Sequence, residues 1–306
     1  MYTPGNDTGE AAPVWLLGTG GLWSCPPHRR RILEMSAFAI NMDPFESFKA
    51  AQKSGWAHFA PLEALTTPPA AQLVKCARLR AGDRVLDVAC GTGVVAITAA
   101  RQGARITGLD LTPPLLQQAR ENSRIAGVEV DWREGDVEKL PFEDSSFDVV
   151  LSQFGHIFAP RPDVAIAEML RVLKPGGTIA FSTWPPELFV GRMFALTARY
   201  APPPPPGVSP PTLWGDPRIV TERLGSAVKD LIFNRATMLV PSLSPQHNRE
   251  NIERTAGPVI KMVESLSSSD PAKLTAFRRE YETLAAEYLD ENMIRQDYLL
   301  TRASKI

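Results

Sequence analysis

The sequence predicts an α/β fold, a doubly wound, mostly parallel sheet with helices on both faces, and three observations predict it. Val85, Leu86, Val88 and Ala89 form a short apolar run of the kind a strand buried on both faces requires, broken only by Asp87. A glycine turn containing Gly91 and Gly93 follows at once, and Val94 to Ala100 then supplies an Ala-rich apolar segment able to begin a helix. Further strand-like and helix-like segments alternate as far as Thr183, which is the order of crossover connections in a parallel sheet.

Composition bounds the partners. At 306 residues the chain can bury a full core as one large domain or two modest ones. Hydrophobic content of 44% and charged content of 22% are ordinary for a soluble globular enzyme. A net charge of -1 provides no long-range attraction to phosphate backbones or anionic lipid, so neither nucleic acid nor a membrane is an expected partner and a small molecule is. The three cysteines, Cys25, Cys76 and Cys90, form no Cys-x-x-Cys pair and are odd in number, which suits reduced thiols in a cytoplasmic protein. No His, Cys and carboxylate cluster has metal-ligand spacing, so no metal is expected.

Residues 1–41 mix Gly, Pro and Trp with the basic cluster Arg29-Arg30-Arg31 and show no period, which predicts a disordered tail and makes Met35 or Met42 a candidate functional start. Val14 to Trp23 is too short and too Gly-broken to span a bilayer, and its basic residues follow it, unlike those of a signal peptide. Residues 42–80 are expected to form an N-terminal helical lid. Within them Pro44 to Phe59 carries Phe45, Phe48, Trp56 and Phe59, which suits a helix folded over a ligand crevice or one merely packed on the core. Pro68 to Arg80 follows as a helix with Leu73, Val74, Ala77 and Leu79 facing inward.

Residues 81–184 hold the ligand-binding core. Gly91-x-Gly93-x-x-Ala96 satisfies a dinucleotide fingerprint, but Asp87 at the mouth of the turn would repel a pyrophosphate and favour a ligand bearing an ammonium and a sulfonium. S-adenosylmethionine is such a ligand. Arg105 to Asp110 is a second strand whose terminal carboxylate can accept both ribose hydroxyls of an adenosine. Thr112 is a candidate N-cap, with Pro113 and Pro114 in the first turn of a helix reaching about Ile125. Val128 to Trp132 is a third strand, and Asp136 beyond it can accept from an adenine amino group while Val137 or Leu140 packs on the ring. Phe147 to Ser152 is a fourth strand. Pro162 to Leu173 is a helix presenting Val164, Ala167, Met169, Leu170 and Leu173 to the sheet, ended by the turn Lys174-Pro175-Gly176-Gly177 before strand Thr178 to Thr183.

The run Val85 to Trp184 resembles the class I S-adenosylmethionine-dependent methyltransferases, most closely the methyltransferase type 11 branch that includes the ubiquinone/menaquinone biosynthesis C-methyltransferases. The motifs that carry this are Leu-Asp-Val-Ala-Cys-Gly-Thr-Gly at 86–93, Gly-Leu-Asp-Leu at 108–111, Gly-Asp-Val-Glu-Lys-Leu-Pro-Phe at 135–142 and Glu-Met-Leu-Arg-Val-Leu-Lys-Pro-Gly-Gly at 168–177. The resemblance implies a seven-stranded, Rossmann-like methyltransferase sheet. It also implies that Asp87, Ala89 and the Gly91 to Gly93 backbone hold the methionine part of the donor, Asp110 and Leu111 the ribose, and Asp136 with Val137 the adenine. Ser152 and Gln153 would border the methyl group.

Residues 185–306 are expected to form a substrate-binding cap and the last strands of the sheet. Glu187 to Tyr200 reads as an amphipathic helix and Pro202 to Pro211 as a polyproline spacer. Asp216 and Pro217 begin a helix to Leu224, and a strand follows over Val228 to Val240. Arg249 to Leu266 and Pro271 to Tyr288 read as two helices inserted before a final strand at Tyr298 to Arg302, either a cap joined to the N-terminal helix or a homodimerisation element.

The expected function is methyl transfer from S-adenosylmethionine to a C, O, N or S nucleophile of a small molecule, with Trp56, His58, Phe59 and Phe154 lining the acceptor site. In-line transfer needs a base only if the acceptor keeps its proton, and His156 is the first candidate, ahead of His58. Ser152-Gln153-Phe154-Gly155 stands where the resembling DNA and protein amide N-methyltransferases carry Asn/Asp-Pro-Pro-aromatic, which argues against those substrates. A donor-binding module without turnover is one alternative. An NAD-type oxidoreductase is another, disfavoured by Asp87 and by the absence of a Tyr-x-x-x-Lys pair.

Overall fold

A computed structural model describes residues 44–306. The tail expected over 1–41, with Cys25 and both alternative start methionines, lies outside the described residues.

Eight strands form one sheet: β1 (Arg84–Val88), β2 (Arg105–Asp110), β3 (Asp131–Glu134), β4 (Phe147–Gln153), β5 (Leu173–Thr183), β6 (Val228–Pro241), β7 (Leu289–Asp290) and β8 (Met293–Lys305). The order is β3-β2-β1-β4-β5-β8-β6, with the two-residue β7 paired to β8 off that path. The first five strands of the order are parallel, and β8 runs antiparallel to both β5 and β6. This is the expected seven-stranded doubly wound sheet with one short extra strand. The central strands are buried on both faces: Val85, Leu86, Val88, Val150, Leu151, Ile179, Ala180 and Phe181 all have fully covered side chains.

The helices are α1 (Pro44–Trp56), α2 (Glu63–Ala77), α3 (Val94–Ala100), α4 (Pro113–Ala126), α5 (Pro162–Val172), α6 (Phe189–Tyr200), α7 (Pro217–Leu224), α8 (Pro245–Thr255), α9 (Gly257–Ser269) and α10 (Pro271–Ala286). α4 and α7 begin at the residues the sequence marked as starts, Thr112–Pro113 and Asp216–Pro217. Asp216 caps α7 by accepting from Arg218 N–H, and Asp270 caps α10 by accepting from Lys273 N–H. Thr112 occupies the N-cap position of α4, but its side chain makes no capping hydrogen bond. Asp110 takes the Thr112 N–H instead.

Other expectations are corrected. The third strand begins at Asp131, not Val128. In α5 the buried face is Ala165, Ile166, Met169, Leu170 and Val172, and Val164 is exposed, so the apolar stripe is rotated from the one expected. The turn at Lys174 to Gly177 is a bulge inside β5: Phe147 faces Leu173, yet Val149 faces Thr178. The expected helix Arg249 to Leu266 is two helices, α8 and α9, broken at Ala256 in an extended conformation ahead of Pro258.

Two features place the site. β5 pairs with β8 only as far as Thr183 opposite Leu299, whereas β6 and β8 remain paired from Ala236–Tyr298 to Pro241–Met293. A two-stranded ribbon therefore stands beyond the C-terminal ends of the parallel strands, and α8, α9 and α10 are inserted at its tip. α1 crosses α9 at a glycine pair, where a Cβ on Gly257 would lie 2.5 to 2.7 Å from backbone atoms of Gly55. Only two residues without side chains permit that approach. Lys261 of α9 also donates to the Ala51 carbonyl of α1.

Candidate functional site

Where β1 ends, the chain turns sharply through Ala89 (φ 53°), Gly91 (φ 55°) and Gly93 (φ 85°) into α3. Gly93 has a second reason to be glycine, since its Cβ would meet the Trp132 ring at 2.4 Å. Asp87 is buried within this turn. Its Oδ2 accepts the Ala96 N–H at 3.0 Å, while Oδ1 is buried with no hydrogen-bond partner among the described residues. Burial pushes the Asp87 carboxyl well above the ordinary carboxylate range; the Ala96 amide opposes the shift and the nearby Asp110 adds to it. At the end of β2, Asp110 accepts from Gly91 N–H and Thr112 N–H, each at 2.8 Å. Burial raises this carboxyl too, against the lowering by those two amides.

Both carboxylates open into one cavity of about 540 Å³. Its walls are the C-terminal ends of β1, β2 and β4, the loop after β3, α1, α8 and the β6–β8 ribbon. Two more buried polar atoms on these walls, Thr92 Oγ1 and Gln153 Oε1, have no partner among the described residues. A cavity presenting an unsatisfied carboxylate oxygen, an unsatisfied hydroxyl and an unsatisfied amide oxygen is a site shaped for a polar ligand with cationic character.

Salt bridges fasten α1 over the loop after β3. Lys49 Nζ lies 2.6 Å from Asp136 Oδ2 and 2.5 Å from Glu138 Oε2, and Lys53 pairs with Glu134. Glu138, with its side chain 1% exposed, also accepts from the Arg161 backbone N–H at 2.6 Å and from Arg161 Nε at 2.9 Å. Asp136, expected to face an adenine, lines the cavity, but its Oδ1 accepts the Glu138 N–H and its Oδ2 the Lys49 ammonium. It therefore links α1 to the cavity wall.

The far half of the cavity is aromatic. Trp56 and Phe158 have ring centroids 4.5 Å apart, Phe158 meets Phe194 edge-on at 5.9 Å, and Phe154 stacks on Trp184 at 4.0 Å. Phe59, edge-on to Trp56 at 6.0 Å, lines the cavity as well.

Of the residues the sequence singled out, Asp87, Ala89, Gly91, Asp110, Leu111, Asp136, Val137, Gln153, Trp56, Phe59 and Phe154 all reach this cavity. Four do not. Gly93 is turned toward Trp132, as above. Ser152 is fully buried and donates to the Val88 carbonyl at 2.7 Å, joining β4 to β1. His58 is exposed beyond the end of α1 and does not line the cavity. His156 is also corrected: it is fully buried behind the wall, edge-on to Phe181 at 4.9 Å and to Trp214 at 4.7 Å. Neither of its ring nitrogens has a partner among the described residues, and burial, aided by Arg223, pushes its pKa down to about 3. A neutral imidazole sealed in an aromatic box cannot reach a substrate proton.

The sequence reading missed Lys49, Thr92, Asn251 and Gln296, which also line the cavity. Lys49, Gln52 and Trp56 fall on one helical face, as do Asn248, Asn251, Ile252 and Thr255, so the spacing was there to be read. Among the described residues no group of His, Cys, Asp and Glu could hold a metal ion, and no helix is long and apolar enough to cross a membrane.

Residues 86–181 match a family described as a methyltransferase domain. An uncharacterized protein of Mycobacterium tuberculosis is 36% identical over 244 residues, covering 79% of this chain and 89% of that protein. The ubiquinone biosynthesis O-methyltransferase of Xanthomonas axonopodis pv. citri is 41% identical over 126 residues, 40% of this chain and 52% of that enzyme. Among solved structures, a putative methyltransferase from Bacillus halodurans superposes with a TM-score of 0.53 at 22% identity, over 77% of this chain and 98% of that one.

Proposed function

This chain belongs to the class I S-adenosylmethionine-dependent methyltransferases, and we propose that it methylates a small molecule enclosed between the ends of β1 and β4, the lid helix α1 and the β6–β8 ribbon. The single observation that carries the reading is the buried Asp87 Oδ1, an acceptor without a partner at the mouth of the glycine turn. A carboxylate there disfavours a pyrophosphate and fits the ammonium of the methionine part of the donor. Thr92 Oγ1 and Gln153 Oε1 stand ready to take further polar groups on the same side. The fit is therefore good.

In this reading Asp87, Ala89 and Gly91 hold the methionine part, Asp110 and Leu111 the ribose, and Asp136 and Val137 the adenine. Asp110 already shares its two oxygens with backbone amides, so its orientation is fixed before ligand arrives. Gln153, anchored by its Nε2 donating to the Thr66 carbonyl at 2.8 Å, turns its free oxygen toward the reacting region. The donor supplies an electrophilic methyl on a sulfonium, and displacement is in-line. What the protein contributes is placement and the exclusion of water, for which α1 and α8 form the roof. The free thiols of Cys76 and Cys90 suit a reducing, cytoplasmic setting.

Calorimetry with S-adenosylmethionine, S-adenosylhomocysteine and NAD tests the donor. Both sulfur ligands should bind and NAD should not; binding of NAD alone would overturn the assignment. Release of S-adenosylhomocysteine in the presence of quinone-like, phenolic and thiol compounds tests the transfer itself.

A further inference from the structure

Asp87, Gly108 and Trp132 stand in one row across β1, β2 and β3, since Asp87 pairs with Gly108 and Gly108 with Trp132. Residues in register on neighbouring parallel strands share a face. Here that face is the one covered by α3 and α4: Asp87 bonds the Ala96 amide of α3, and Trp132 Nε1 donates to Ser123 Oγ of α4 at 3.2 Å. The middle member of the row carries no side chain, so the Trp132 indole lies across β2 and reaches the glycine turn from behind. A Cβ on Gly108 would collide with Cζ3 of the indole and lie 2.5 Å from Cε3. A Cβ on Gly93 would collide with Cη2 and lie 3.1 Å from Cζ2. One six-membered ring therefore rests on two glycines, one in the turn and one in the strand that ends at Asp110.

Trp132 does not itself line the cavity. On the cavity side Asp110 takes the Gly91 N–H, so the turn is gripped between a carboxylate in front and an indole behind. Gly93 also begins α3, its carbonyl accepting the Ile97 N–H at 2.8 Å. A shift of Gly93 would thus carry with it both Gly91 and the start of the helix whose Ala96 amide holds Asp87. Close-packed rings transmit such shifts instead of absorbing them.

Resting on the methyltransferase reading above, we propose that Trp132 is a positioning residue for the donor: acting through Gly93 and Gly108 from outside the cavity, its indole sets the spacing between the glycine turn and Asp110, and so fixes where the methionine part and the ribose sit together.

A tryptophan that only filled space would raise the melting temperature and leave the affinity of the folded protein unchanged. The test is calorimetric titration of S-adenosylhomocysteine into the full chain, into Trp132→Leu, into Gly108→Ala and into the double variant, each held below its own melting transition. Leucine is too short to rest on both glycines, and Trp132→Leu should bind at least tenfold more weakly, about 1.4 kcal/mol. Gly108 has no positive φ, so alanine suits its backbone, but the methyl displaces the indole and should cost a similar factor. With leucine at 132 the methyl has room, so the double variant should bind within about threefold of Trp132→Leu alone, the non-additivity expected of residues in contact. Unchanged affinity in either folded single variant overturns the proposal, and so do losses that multiply in the double variant. The two single substitutions lie on different strands, so if one fails to fold the affinity of the other decides. Failure of the unaltered protein to bind S-adenosylhomocysteine overturns the methyltransferase reading and this proposal with it. Normal binding there, with variants that melt lower yet bind equally well, overturns this proposal alone.

Discussion

Asp87→Asn should strengthen the empty protein and weaken its complex with the donor. In the native chain Oδ2 holds the Ala96 N–H and Oδ1 faces the cavity without a partner. Asparagine is nearly isosteric, and its one oxygen must stay on the Ala96 amide, so its NH2 group replaces the free carboxylate oxygen. An ammonium ligand then meets donors where it needs an acceptor. Loss of a hydrogen bond between charged groups costs about 1.5–3 kcal/mol, or about 10- to 150-fold in affinity. Stability moves the other way. The folded Asp87 carboxyl holds its proton to higher pH than an ordinary aspartate, which releases it near 3.8, chiefly because burial penalises its charge. As pH rises past 3.8 the unfolded chain releases this proton first, so the native state loses stability from there until its own carboxyl ionises. Asparagine has no such loss. The variant should therefore melt higher than the parent at neutral pH, with the gap closing as the solution is acidified into the ordinary carboxylate range. Melting curves across that interval, paired with calorimetric titration of S-adenosylhomocysteine at neutral pH, read both effects. Unchanged affinity, or a lower melting temperature at neutral pH, would refute the reasoning.

Three other outcomes are expected. Lys49→Met leaves Glu138 buried with Arg161 alone and frees α1 from Asp136, so S-adenosylhomocysteine should dissociate faster and bind about 2 kcal/mol more weakly; stopped-flow release from the complex measures this, and an unchanged rate counts against a lid fastened through Lys49. Gly257→Ala places a methyl 2.5 to 2.7 Å from the Gly55 backbone, which cannot yield as a flexible side chain would, so α1 should lift at a cost of about 1–3 kcal/mol, seen as faster amide exchange within Pro44–Trp56. His156→Leu should preserve kcat and its pH profile, and should remove the acid destabilisation that begins as the unfolded histidine protonates below 6.5 while the folded one waits until about 3; a loss of turnover in the folded variant would restore His156 to the chemistry.

The wall at the ends of β1 and β2 was legible because its chemistry is local. A strand end, a glycine turn and an acid occupy consecutive residues, so Asp87 and Gly91, read from order alone, do line the cavity, as does Asp110 at the end of the strand after α3. Where position along the chain does not fix direction in space, the reading failed. His156 follows β4 closely enough to suggest the crevice mouth, but the short helical turn at His156–Phe158 rotates it toward Phe181 and Trp214. Ser152 and Gln153 are neighbours on a strand and so point to opposite faces; one bonds Val88 inside the sheet and the other reaches the cavity. The break between α8 and α9 was hidden because proline is tolerated in a helix's first turn, and apolar spacing continues across it. Lys49 lies 87 residues from Asp136, and nothing in either neighbourhood announces the other.

The placement of β8 between β5 and β6 has a consequence for biogenesis. When β6 leaves the ribosome its only neighbour in the sheet among the described residues has yet to be synthesised, and the α8–α10 segment must emerge before Met293–Lys305 can slot into the gap. A nascent chain at that stage exposes the open flank of β5 and both flanks of β6, which are ready to pair with the wrong strand. Vectorial synthesis thus leaves this protein most vulnerable just before its last antiparallel strand arrives.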